Sequence, residues 1–163
     1  MSDKHRDGNT GTFRLADFLP YRLAVATASI SRVFIESYGA SHNLTIPEWR
    51  TLAVVAQFGT LSPTAVGQHT AMDKVKVSRA AQSLIAKGML RQAKDPNDGR
   101  GRTLRLTRKG ETAYARVVPI ANKIQAKVFD DLTRADKAAL DRVLRKITSR
   151  LEVECDAGSG EAA

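Results

Sequence analysis

The chain has 163 residues, 42% of them hydrophobic, with 26 Lys and Arg against 17 Asp and Glu, one Cys and three His. That length fits one compact unit, and the longest apolar run, Leu52 to Ala56, is far short of the ~20 residues that span a membrane. A lone Cys155 excludes an internal disulfide, and His5, His42 and His69 match no zinc spacing, so neither a metal nor a cofactor is expected.

In chain order, the first dozen residues are polar and read as a frayed end, with neither a secretory signal nor a transit peptide, so the cytoplasm is the expected location. Leu19, Leu23, Ala26, Ile30 and Val33 recur at steps of four and three, widened by Phe34 and Tyr38; this predicts a helix from about Pro20 to a stop at Gly39. Thr45-Ile-Pro-Glu48 reads as a capping box opening a second helix, with Trp49, Leu52, Ala53 and Ala56 on one face and Gly59 at its end. Ser62-Pro63 starts a short helix to about His69, and Asp73 caps another that runs to Lys87 before Gly88, its inward stripe Val77, Ala81, Leu84 and Ile85.

Two short segments follow, Met89 to Lys94 and Arg102 to Leu106, joined by the turn-rich Asp95-Pro-Asn-Asp-Gly-Arg-Gly101; they predict a basic β-hairpin. Thr107 caps a helix carrying Ala113, Val117, Ile120, Ala121, Ile124 and Val128, with a kink expected at Pro119. Thr133-Arg-Ala-Asp136 caps the last, with its stripe at Leu140, Val143, Leu144, Ile147 and Leu151. The fold class is therefore mainly α with a small β-hairpin.

The formal charge is +9, and residues 70–116 alone hold twelve basic side chains against four acidic ones. A net charge concentrated in this way marks one basic face suited to a polyanion. With Val77 inward, Val75, Arg79, Gln82 and Ser83 point away from the core and Lys76 and Ser78 flank them. Arg79 can bridge guanine O6 and N7, Gln82 can pair with adenine, and Val75 can touch a thymine methyl. Lys74 sits at a helix start, where a cation opposes the dipole unless a phosphate is near; Ser62 and Thr64, at the preceding helix start, are further phosphate candidates. In the hairpin, Arg100 and Arg102 stand beside glycines and can enter a minor groove, with Asp98 placed to orient a guanidinium.

The runs Ser62-Pro-Thr-Ala-Val-Gly67, Asp73-Lys-Val-Lys-Val-Ser-Arg79, Leu84-Ile-Ala-Lys-Gly-Met-Leu90, Asp95-Pro-Asn-Asp-Gly-Arg100 and Leu104-Arg-Leu-Thr107-Arg-Lys-Gly110, with Leu44-Thr-Ile-Pro-Glu-Trp-Arg50 and the order of flanking helices, resemble the MarR-type winged helix-turn-helix regulators from about Phe18 to Leu151. The resemblance implies a homodimer on a palindromic double-stranded operator, the Asp73–Lys87 helix in the major groove and the Arg100 wing in the minor groove. It divides the chain into a tail (1–14), a dimerisation helix (15–41), a winged DNA-binding domain (42–108), C-terminal dimerisation helices (109–151) and a second tail (152–163). The apolar stripes at both chain ends agree, since a small winged domain offers them no partner. Gly99 departs from relatives that carry an arginine between the motif's Asp and Arg, which weakens the wing contact unless Arg102 compensates.

The resemblance also implies a pocket for a small, often aromatic, effector between the long helices and the winged domain; Tyr38, His42, Trp49 and Arg50 are the candidates there, although Trp49 also falls on an inward stripe. An enzyme is not expected, because no phosphate loop, nucleophile elbow or metal-binding helix motif is present. The reading is a ligand-released repressor; the alternatives are a basic architectural DNA-binding protein without an effector, and an adaptor that kept the winged fold.

Overall fold

The computed structural model describes residues 13–94 and 101–158, with the side chains of 38–42 and of 151–158 outside that description. A single 3-10 turn, Leu15–Asp17, leads into α1 (Leu19–His42). There follow α2 (Ile46–Phe58), α3 (Pro63–Thr70), α4 (Lys74–Ala86), the strands β1 (Leu90–Lys94) and β2 (Arg102–Leu106), α5 (Arg108–Phe129) and α6 (Arg134–Gly158). Among the described residues no helix is long and apolar enough to cross a membrane.

Local chemistry explains most boundaries. The Thr45 N–H donates to Glu48 Oε2 at 2.7 Å while the Glu48 N–H reaches Thr45 Oγ1 at 3.4 Å, completing the capping box of α2. Ser62, Asp73 and Thr107 cap α3, α4 and α5 through side-chain oxygens. Thr133 and Asp136 close the N-terminus of α6 in the same way. One expected stop is displaced: α1 runs through Gly39 to His42, and the left-handed residue that ends it is Asn43, at φ 49°. A glycine alone does not end a helix whose next residues still form its backbone bonds. α5 likewise continues through Pro119.

The strands pair antiparallel from Leu90 opposite Leu106 to Lys94 opposite Arg102. Leu61, between α2 and α3, exchanges two backbone bonds with Leu104 at 3.1 and 2.7 Å, stitching the hairpin onto the helices. Beneath it lies the core of Leu52, Val55, Val66, Val77, Leu84, Leu90, Leu104 and Val117. Two inward faces differ from expectation. On α2 the buried line is Glu48, Thr51, Leu52 and Val55 rather than Trp49, Ala53 and Ala56, because α4 packs on that side. On α4, Ala80 joins Val77, Ala81 and Leu84, while Ile85 is half buried.

The helices at the two chain ends leave apolar surface uncovered. Leu19, Leu23 and Ile30 on one face of α1 and Leu140, Val143, Leu144 and Ile147 of α6 are all exposed. Single exposed leucines are ordinary, but matched stripes on two long helices are not.

Candidate nucleic-acid interface

Helix α4 is held by its inner residues and presents a polar, basic outer face. Val77, Ala80, Ala81 and Leu84 are buried, whereas Lys74, Val75, Lys76, Ser78, Arg79 and Gln82 are exposed, Val75 at 58%. That exposure is unusual for a valine beside three charged groups, and it leaves a methyl surface standing among hydrogen-bond donors. Asp73 fixes the start of the helix: its carboxylate accepts from the Lys76 N–H at 2.8 Å and pairs with Lys76 Nζ at 2.9 Å. Those bonds, the side-chain one foremost, hold the Asp73 carboxyl below the usual carboxylate range. In the free protein Lys76 is therefore engaged with the cap, while Arg79 and Gln82 stand on the open face.

Ser83 departs from the expected outward set. It is half buried on the flank facing α2, and its hydroxyl hydrogen-bonds the Glu48 carboxylate. The reason is rotational: Ser83 lies three residues from buried Ala80 and one from buried Leu84, so α2 rather than solvent meets it.

The phosphate candidates are brought together in part. Thr64 and Lys74 line one hollow of ≈ 480 Å³ between α3 and α4, floored by Met72 and Val77. Ser62 is half buried at the start of α3, where its oxygen accepts the Ala65 N–H at 3.1 Å. Ala71, in the left-handed region at φ 52°, makes the turn between the two helices. In the wing, Arg102 opens β2 and is exposed opposite Lys94. Asp98 and Arg100 lie outside the described residues.

The side chains of Tyr38 and His42 lie outside the described residues. Trp49 is half buried between the rings of Phe34 and Tyr114, at centroid distances of 5.7 and 5.8 Å. It serves as a core anchor joining α1, α2 and α5. Arg50, the next residue, is turned about 100° away and is exposed.

Sequence reasoning missed a buried polar group that sets this geometry. Glu48, 3% exposed, accepts from Lys87 Nζ at 2.7 Å, and the same ammonium donates to the Asn43 carbonyl at 2.6 Å. Burial alone would push the Glu48 carboxyl up; the bonds from Lys87, Ser83 and the Thr45 N–H outweigh it and hold the carboxyl below its ordinary value. The capping box and a lysine at a helix end were the available signals, but nothing local pairs residues 39 positions apart.

A short helix, a left-handed turn, a basic helix with a bonding outer face and a paired strand hairpin define a winged helix-turn-helix protein. Comparison with known proteins narrows the class: residues 42–101 match the MarR family. It is 25% identical over 148 residues to the HTH-type transcriptional repressor IacR of Pseudomonas putida, covering 91% of this chain and 88% of IacR. Among solved structures it resembles Bordetella bronchiseptica BpsR, whose DNA binding is regulated by 6-hydroxynicotinic acid, with 27% identity, 80% of this chain, 98% of BpsR and a TM-score of 0.73. A MarR variant from E. coli in complex with operator DNA shares the fold at 20% identity, with 79% of this chain, 92% of that one and a TM-score of 0.72.

Proposed function

We propose that the protein is a cytoplasmic, homodimeric repressor that binds a palindromic operator and is released by a small aromatic ligand. The observation that carries the reading is the outer face of α4, where Val75, Arg79 and Gln82 are exposed together beside the hairpin that carries Arg102. Those three side chains offer a thymine-methyl contact, a bidentate guanine contact and an adenine contact in a width that fits the major groove. Lys74 and Thr64 supply phosphate contacts that set register, and Arg100 and Arg102 reach the minor groove, with Asp98 orienting them.

The uncovered stripes of α1 and α6 support dimerisation through segments 15–41 and 109–151, leaving 42–108 as the DNA-binding domain. A dimer places two α4 helices on half-sites about 34 Å apart, and a ligand need only favour another spacing. A hundredfold change in DNA affinity corresponds to about 2.7 kcal/mol of coupling, within the usual allosteric range. The regulation of BpsR by 6-hydroxynicotinic acid supports an aromatic acid as the ligand class, and Tyr38, His42, Trp49 and Arg50 remain the residues proposed to meet it.

Fluorescence anisotropy on a duplex from the upstream intergenic region, against a scrambled duplex over a salt series, tests this. Tight binding of the first by two chains at moderate salt supports the reading, with Arg79→Ala costing about 1 to 3 kcal/mol and relaxing preference at one base pair. Equal, salt-labile binding to both duplexes overturns sequence-specific regulation and favours the architectural alternative.

A further inference from the structure

The base of the hairpin carries a second basic site that the operator reading does not use. Along β1 and β2, Leu90, Leu104 and Leu106 turn toward the helices, so Arg91 and Arg105 alternate outward, and the register sets these two arginines directly opposite one another. Like charges in such a pair repel. Arg108, the first residue of α5, adds a third guanidinium at a helix N-terminus, where a cation also opposes the dipole.

All three line one hollow of ≈ 420 Å³ together with Leu106, Thr107 and Glu111. Among the described residues none of the three guanidiniums belongs to an ion pair. Among the described residues, three cations, a helix N-terminus and one carboxylate, Glu111, surround the concavity, an arrangement that favours an anion. The site also stands apart from the far end of the strands: Arg91 is three positions from Lys94 and Arg105 three from Arg102, about 10 Å of strand.

We infer that the hollow formed by Arg91, Arg105 and Arg108 binds a phosphate group, and that its best match is the dianionic head of a phosphomonoester. Guanidiniums form paired, directional bonds to phosphate oxygens, and three of them can engage three oxygens at once. A single carboxylate would leave one arginine unused. A phosphomonoester at neutral pH carries about −1.5 to −2, which balances the excess charge of the site, whereas a backbone phosphodiester of DNA supplies half as much.

The test uses the full chain, with Arg105→Gln and Arg91→Gln as variants, and inorganic phosphate as the probe. In chloride buffer both variants are expected to unfold at or above the wild-type temperature, because each relieves like-charge repulsion. At matched ionic strength, phosphate is expected to raise the wild-type Tm and to bind measurably by calorimetry, with an affinity about tenfold weaker in either variant. A parallel salt series on duplex DNA separates the two sources. An unchanged slope in the variants assigns the site to a free phosphate; a slope lower by about one per arginine assigns it to the DNA backbone. A phosphate response equal in wild type and variants, with an unchanged DNA slope, overturns the inference.

Discussion

Lys87 Nζ sits 2.7 Å from Glu48 Oε1 and 2.6 Å from the Asn43 carbonyl oxygen, so the residue that caps α4 is fastened to both sides of the α1–α2 corner. The Lys87 side chain is 26% exposed and the Glu48 side chain 4%, which places the pair largely out of water. Removing only the lysine leaves a buried carboxylate uncompensated. Lys87→Met is therefore expected to lower stability by about 2 to 3 kcal/mol in urea unfolding, and the double variant Glu48→Gln/Lys87→Met to recover part of that loss. A double variant no more stable than Lys87→Met would show that the ion pair is not the source of the effect.

The same carboxylate gives a defined pH dependence. Its folded value lies below the ordinary 4.5, so folding favours the ionised form. The stabilisation is complete above about pH 4.5 and is lost as pH falls through the lower folded value. Urea midpoints collected from neutral pH into that acid range should fall for the wild type and fall less steeply for Glu48→Gln.

Ser83 and Gln82 are neighbours with opposite duties. Ser83→Ala removes a bond to Glu48 and should cost about 0.5 to 1.5 kcal/mol of stability while leaving base preference intact. Gln82→Ala, on the exposed face, should do the reverse. Competition binding with single-base operator variants, run beside thermal unfolding, separates the two; a change of base preference in Ser83→Ala would place its hydroxyl in the groove.

Gly110 fixes how α5 meets the wing. It is buried in the first turn of α5, its N–H donates to Thr107 Oγ1 at 3.1 Å, and a Cβ there would overlap the Met89 carbonyl oxygen. Thr107 in turn donates its hydroxyl proton to the Gly88 carbonyl at 2.6 Å, tying the same turn to the end of α4. Gly110→Ala is expected to destabilise by about 1 to 3 kcal/mol, since a backbone carbonyl cannot yield as a side chain can. An unchanged denaturation midpoint would mean that the wing shifts freely.

Leu144 tests the proposed association of subunits. It is 43% exposed on α6 within the uncovered stripe. Burying such a side chain contributes about 1.5 to 3 kcal/mol per copy. Leu144→Glu should shift sedimentation velocity from dimer toward monomer at micromolar concentration, with little loss of helix content. A wild-type chain that sediments as a monomer would defeat the dimer reading itself.

The helices, their caps and the hairpin were legible because each is fixed by contacts within a few residues. A hydroxyl three positions before an amide, as at Thr45, Ser62 and Thr107, or a period of three and four, carries its own geometry. So do the exposed side chains of α4, whose direction follows from Val77 once that residue is inward. What the sequence left open was which side of a helix its neighbours occupy. The buried face of α2 turned out to be the one carrying Glu48 because α4 lies against it, and the same contact drew Ser83 inward. The partnership of Glu48 with Lys87, the enclosure of Trp49 by Phe34 and Tyr114, and the meeting of Arg91, Arg105 and Arg108 join segments 14 to 65 positions apart. Local propensity sets which elements form; desolvation and charge pairing between distant elements set how they face one another, and only the packed chain decides that.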